Sequence, residues 1–137
     1  MSALEDFLAI RRAVTVWQAR VDAAVGGLHG LGVSDFATMR CLADAPGHRL
    51  RRVDLARQLG LTASGVTRLL GPLERRGIIR SEESGHDARA TYAVVTAAGL
   101  RLFKEANATM EGLAERVIGP LTGRDRAVIA KLVRTAS

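Results

Sequence analysis

The chain has 137 residues, enough for one domain with a buried core, and its 47% hydrophobic and 25% charged residues are those of a folded globular protein, not a disordered one. No run approaches the roughly 18 apolar residues needed to span a bilayer, and the single cysteine, Cys41, excludes an intrachain disulfide. A formal charge of +6 and a pI near 10.9 are made almost entirely of arginine, 18 of the 20 basic residues, and arginine is the better fork for phosphates and guanine edges.

The N-terminus, MSALEDFLAIRR, has acids ahead of any base and no uninterrupted apolar stretch, so no signal peptide is expected and the protein is read as cytoplasmic, with no membrane partner. Phe7, Ile10, Val14, Trp17, Val21, Ala24 and Leu28 then alternate steps of three and four, which predicts a helix from about Ala3 to Val25 with a heptad-like seam. A second helix, opened by Ser34, carries Phe36, Met39 and Leu42 around Cys41, which reads as a buried structural thiol.

From Leu50 the pattern Leu50, Val53, Leu55, Ala56, Leu59 buries one helix face and leaves Arg51, Arg52, Asp54 and Arg57 outside, until Gly60 stops the helix. Thr62 caps the next helix, where Val66, Leu69, Leu70 and Leu73 form the buried stripe and Ser64, Thr67 and Arg68 the opposite face. Two short helices joined by a Gly-containing turn form a helix-turn-helix, which lays the start of its second helix in a DNA major groove. Ser64, Thr67 and Arg68 are the expected groove contacts, and Gly65 lets the backbone approach. The alternative for Arg68 is a surface ion pair with an acid such as Asp87. Arg51, Arg52, Arg75, Arg76 and Arg80 are candidate phosphate contacts, with plain solvation the alternative for each. Residues 49–89 hold nine basic and five acidic side chains, whereas residues 1–48 hold four and five.

Gly77 ends this helix; Ile78 to Glu82 and Ala90 to Val95 read as two strands around a polar tip from Glu83 to Arg89. Thr96 caps a helix through Leu100, Phe103, Ala106, Met110, Leu113 and Val117 that ends near Gly119-Pro120, and Thr122 caps a last one through Val128, Ile129, Leu132 and Val133. These flanking stripes exceed what so small a module can cover; either a second copy covers them or they serve an intrachain core. His29, His48 and His86 are scattered, with no nucleophile elbow, no phosphate-cradling Gly loop and no zinc-like spacing. Neither an enzyme nor a metal or cofactor is expected.

Leu55-Ala56, Leu59-Gly60-Leu61, Val66-Thr67-Arg68-Leu69, Leu73-Glu74-Arg75-Arg76-Gly77, the Asp87-x-Arg89 of the tip and Val95-Thr96-Ala97-Ala98-Gly99 follow one another in an order that resembles the MarR family of winged helix-turn-helix transcriptional regulators. The resemblance covers nearly the whole chain. It implies a mainly α fold with a small β-hairpin wing, in which residues 1–33 and 100–137 dimerise and residues 34–99 bind double-stranded DNA. It implies a homodimer, most often a repressor, on a pseudo-palindromic operator, with Arg89 entering the minor groove and Asp87 orienting arginines; an Asx turn helped by Gly85 is a compatible role for Asp87.

Many members release DNA on binding a small aromatic acid or phenol, for which Trp17, Val21, His29, Phe36 and Arg40 are candidate pocket residues and, equally, ordinary core. The rival function is a winged-helix dimerisation or protein-interaction module without specific DNA binding. Two features depart from the family pattern: Gly71-Pro72 inside the second helix, where a kink after Arg68 is expected, and a cap at Thr96 without Glu or Gln at its third position.

Overall fold

The first helix is set by its ends. In the computed structural model, which describes residues 1–84 and 87–137 apart from the side chains of Leu28, Ser84 and residues 87–90, Ser2 Oγ accepts from Glu5 N (3.2 Å) and Glu5 Oε2 accepts from Ser2 N (2.7 Å). Those bonds hold the Glu5 carboxyl below its ordinary pKa. Helix α1 (Ala3–His29) runs one turn beyond the expected Val25 and stops at Gly30, which takes the left-handed φ of 65°. The Gly26-Gly27 pair does not break it, because Val25 and Leu31 on either side are both buried. Helix α2 (Val33–Asp44) is opened by Gly32 and not by Ser34. Asp35 Oδ2 accepts from Gly32 N (2.9 Å), Asp22 Oδ1 accepts from Val33 N (2.6 Å), and the Ser34 carbonyl instead takes the Thr38 hydroxyl.

A 3-10 turn (Pro46–His48) leads into a strand absent from the sequence reading, β1 (Arg49–Arg51), so the helix expected from Leu50 starts two residues later as α3 (Arg52–Leu59). Val53, read as part of the buried face, is 60% exposed. Gly60 (φ 67°) ends α3, and Thr62 Oγ1 accepts from Gly65 N (3.1 Å) to start α4 (Ala63–Arg75). Val66, Leu70 and Leu73 of α4 are buried and Leu69 half-buried. This helix continues unbroken across Pro72. The residue before a proline is barred from helical geometry mainly by its Cβ, which Gly71 lacks.

Strands β2 (Ile79–Ser84) and β3 (Asp87–Val95) are longer than expected and form, with β1, a three-stranded antiparallel sheet in the order β1-β3-β2. Of the expected tip, Gly85 and His86 lie outside the described residues, and so do the side chains of Asp87 and Arg89. Thr96 caps α5 (Ala97–Ile118) through Gly99 N (3.1 Å), and its hydroxyl donates to the Gly77 carbonyl at 2.6 Å. Thr122 and Asp125 cap α6 (Gly123–Thr135) reciprocally.

The core is drawn from the end of α1, from α2, α3, α4 and the inner face of the sheet, with Ala106 of α5 completing it. Phe36 of α2 stacks on Phe103 of α5 at 5.3 Å between ring centroids. The first half of α1 and all of α6 lie outside this core. Phe7, Ile10, Val14 and Trp17, the expected seam, are each at least 41% exposed, and α6 buries no residue.

Candidate nucleic-acid interface

Thr62 fixes where α4 begins, and with it which side chains stand on the helix's first two exposed turns. Ser64, Thr67 and Arg68 are exposed there together, and Arg68 has no partner among the described residues. Gly65 is half-buried, and a Cβ there would sit 3.3 Å from Thr62 Oγ1, a tight but tolerable approach to the cap. Four amide groups at a helix start lack intrahelical acceptors, and Thr62 satisfies one of them. The remaining amide donors, the short hydroxyls and the exposed guanidinium suit phosphate oxygens and base edges.

The arginines around this face divide by what they touch. Arg52 donates to Thr67 Oγ1 (3.3 Å) and lies 3.8 Å from Glu74 Oε1, which itself accepts from Ser81 Oγ (2.8 Å). Arg52 therefore braces α3 against α4, and Thr67, which also donates to the Ala63 carbonyl, is held in one rotamer. Arg76 donates to the Gly30 carbonyl at 2.6 Å. Arg80 pairs with Glu82 (3.0 Å), and only Arg75 of the α4 pair projects without a described partner.

Two residues of the sheet, Arg49 and Tyr92, were not singled out in the sequence reading. On the outer sheet face Arg51, Tyr92 and Glu82 share one cross-strand row, flanked by Arg49, Val94 and Arg80. Arg49 pairs with Glu82 at 2.6 Å and stacks over the Tyr92 ring at 4.0 Å. Hydrogen bonds from Arg51 and then Arg49 lower the Tyr92 phenol from its ordinary pKa. The signal was the alternation Arg49-Leu50-Arg51, a strand period inside a stretch read as helix.

The five candidate pocket residues do not come together. Trp17 and Val21 line a cavity of about 300 Å³ with Arg20, Leu113, Arg116 and Val117, between α1 and α5. Arg40 instead borders a cleft beside Cys41 and pairs with Asp44, Phe36 is buried in the core, and His29 bonds Thr109 Oγ1 at 2.9 Å. Cys41 is half-buried and not fully buried as expected; burial, then the Asp44 carboxylate, raises its thiol pKa, so at neutral pH it is a poor nucleophile. Among the described residues no His, Cys, Asp and Glu group is arranged for a metal, and no helix is long and apolar enough to cross a membrane.

Comparison with known proteins gives the family and the fold. A family profile described as MarR family matches residues 29–90. HTH-type transcriptional repressors of Mycobacterium tuberculosis and Mycobacterium bovis are 32% identical over 111 residues, covering 81% of this chain and 78% of theirs. A MarR family regulator from Streptomyces coelicolor, solved in complex with DNA, superposes with a TM-score of 0.90 at 21% identity over 99% of this chain and 87% of that one. A Bordetella bronchiseptica protein, whose DNA binding is regulated by 6-hydroxynicotinic acid, superposes with a TM-score of 0.80 at 20% identity, covering 93% and 89%.

Proposed function

Since this chain belongs to the MarR family and is a DNA-binding transcription regulator, we propose that it acts as a homodimeric repressor that reads a pseudo-palindromic operator through α4. The observation that carries this reading is the exposed row Ser64, Thr67 and Arg68 on a helix whose start is fixed by a side-chain cap. In this reading, residues 34–99 are the reading module and residues 1–33 and 100–137 hold two copies with their reading helices about 34 Å apart, one DNA turn. Arg75 supplies phosphate affinity, Arg89 enters the minor groove from the wing, and Asp87 orients arginines.

The test is selection of bound fragments from genomic DNA by purified protein, repeated with Arg68→Ala and Arg89→Ala. An enriched inverted repeat is expected, and each variant should bind it roughly tenfold to a hundredfold more weakly, the ~1–3 kcal/mol worth of a base contact. A protein-interaction module would enrich nothing and would lack the steep fall of affinity with salt.

A small aromatic anion as the releasing ligand is supported by the α1–α5 cavity, whose lining includes Trp17 together with two guanidinium-bearing residues, Arg20 and Arg116. It is supported too by the 6-hydroxynicotinic acid response of the Bordetella protein. Titrating 6-hydroxynicotinate into the protein–DNA complex should release DNA, and Arg116→Ala should raise the concentration required. Release unaffected by Arg116→Ala would remove this cavity from the mechanism.

A further inference from the structure

We infer that Arg76 is a positioning residue that ties the end of the reading helix to the end of α1, adding one directional link to the core packing of Val25, Val66, Leu70 and Leu73 that already joins the dimer-forming helix to the reading helix. The inference rests on the DNA-reader function proposed above. Arg76 is the residue at which α4 ends, and its guanidinium donates to the Gly30 carbonyl across 46 positions of sequence. That carbonyl terminates α1, where the negative pole of a 27-residue helix and its unpaired carbonyls favour a cation.

Both ends of this link are rigid. On one side Gly30 is left-handed, Leu31 is buried, and the two residues that follow are fixed by Asp35 and Asp22. On the other, Arg76 N bonds the Pro72 carbonyl and Ile78 N the Leu73 carbonyl, with Ile78 buried. A guanidinium held between two stiff turns transmits orientation, which a side chain tethered at one end does not.

The lever is long. Arg68 lies eight residues before Arg76, about 12 Å at the helical rise of 1.5 Å per residue. A tilt of about ten degrees about the Arg76 end would carry Arg68 roughly 2 Å, enough to lose a base contact, since hydrogen bonds fail beyond about 3.5 Å. In a dimer the same tilt applies at both half-sites and alters their separation.

The test uses the full-length protein, Arg76→Ala, Arg76→Lys and, for comparison, Arg75→Ala. The probe is the duplex that wild type enriches most from a randomised pool, and the same duplex with one base pair inserted at its centre. For Arg76→Ala we expect about tenfold weaker binding to the enriched duplex, an unchanged slope of log affinity against log salt, and reduced discrimination against the insertion. Arg76→Lys, whose ammonium still reaches a carbonyl, should recover most of the affinity, and Arg75→Ala should make the salt slope shallower by about one.

Amide exchange, which needs no DNA, should quicken in residues 26–33 and 73–78 of Arg76→Ala and stay near wild type in Arg76→Lys. A shallower salt slope for Arg76→Ala would overturn the inference in favour of a phosphate contact. Unchanged exchange in residues 26–33 would overturn it outright. If wild type enriches no duplex, the reader function falls, and the exchange measurement alone still decides the link.

Discussion

Protein carrying Ile129→Asp and Leu132→Asp is expected to sediment as a monomer and to bind its operator at least a hundredfold more weakly. Helix α6 has 13 residues and buries none of them, while Val128, Ile129, Leu132 and Val133 are 38–62% exposed on a helix that otherwise presents charges. An isolated helix shorter than ~12–15 residues is marginal in water. Its apolar stripe therefore calls for a partner surface, and in the dimer proposed above the uncovered residues Phe7, Ile10, Val14 and Trp17 of α1 on a second copy would supply one of matching character. Two carboxylates placed in an apolar contact would have to lose their hydration to be buried there, a cost that would hold the subunits apart. Loss of pairing also removes the advantage of two linked half-sites, worth ~10²–10⁴ in affinity. Analytical ultracentrifugation and fluorescence anisotropy on the selected duplex measure the two quantities. A variant that stays dimeric, or a monomer with undiminished affinity, would place the interface elsewhere.

The second large effect is expected on stability, and its two arms have opposite signs. Gly99 stands in the first turn of α5, where a Cβ would overlap the Ile78 carbonyl oxygen and lie 2.7 Å from Val95 Cγ2. The Ile78 carbonyl is backbone already bonded to Thr96 N at 3.0 Å, so it has little room to retreat. Alanine gains about 1 kcal/mol over glycine in helix propensity, but overpacking against backbone costs about 3 kcal/mol, the upper part of its usual range. Gly99→Ala should therefore lower Tm by several degrees. Gly112→Ala, in the same helix with nothing within 4 Å of the added carbon, should keep the propensity gain and raise Tm slightly. Thermal denaturation of both variants followed by circular dichroism decides the matter. Equal shifts would mean that the close approach at Gly99 is not limiting.

What the sequence made legible was whatever local chemistry decides. Thr62, Thr96 and Thr122 cap helices because a hydroxyl at that position meets free amides of its own chain. The stripe Val66, Leu70 and Leu73 is readable because a helix returns every 3.6 residues. Strand β1 was illegible for the opposite reason. Arg49–Arg51 becomes a strand only by pairing with Tyr92, Ala93 and Val94, some forty residues away.

That Ser64, Thr67 and Arg68 share the exposed face of α4 followed from the helix period, since the stripe that is buried dictates the one left outside. Which arginines serve that face did not follow. Charge is a property of the residue, but Arg52 and Arg76 are engaged by Thr67, Glu74 and Gly30, and those neighbours are set by folding. The grouping of the candidate pocket residues was illegible for the same reason: Trp17 and Arg40 are each on a suitable helix, yet they border different clefts.

The Thr96 hydroxyl, which spans from the start of α5 to the Gly77 carbonyl at 2.6 Å, pins together the two points where the hairpin leaves and rejoins the helical body. Everything between them is a cassette closed at its root. Beyond the core residues Ile79, Ala93 and Val95 the strands can be lengthened, shortened or exchanged while the clasp holds the helices in register, so tips of foreign sequence grafted between residues 83 and 91 should alter which DNA flanks are preferred without altering how the helices assemble.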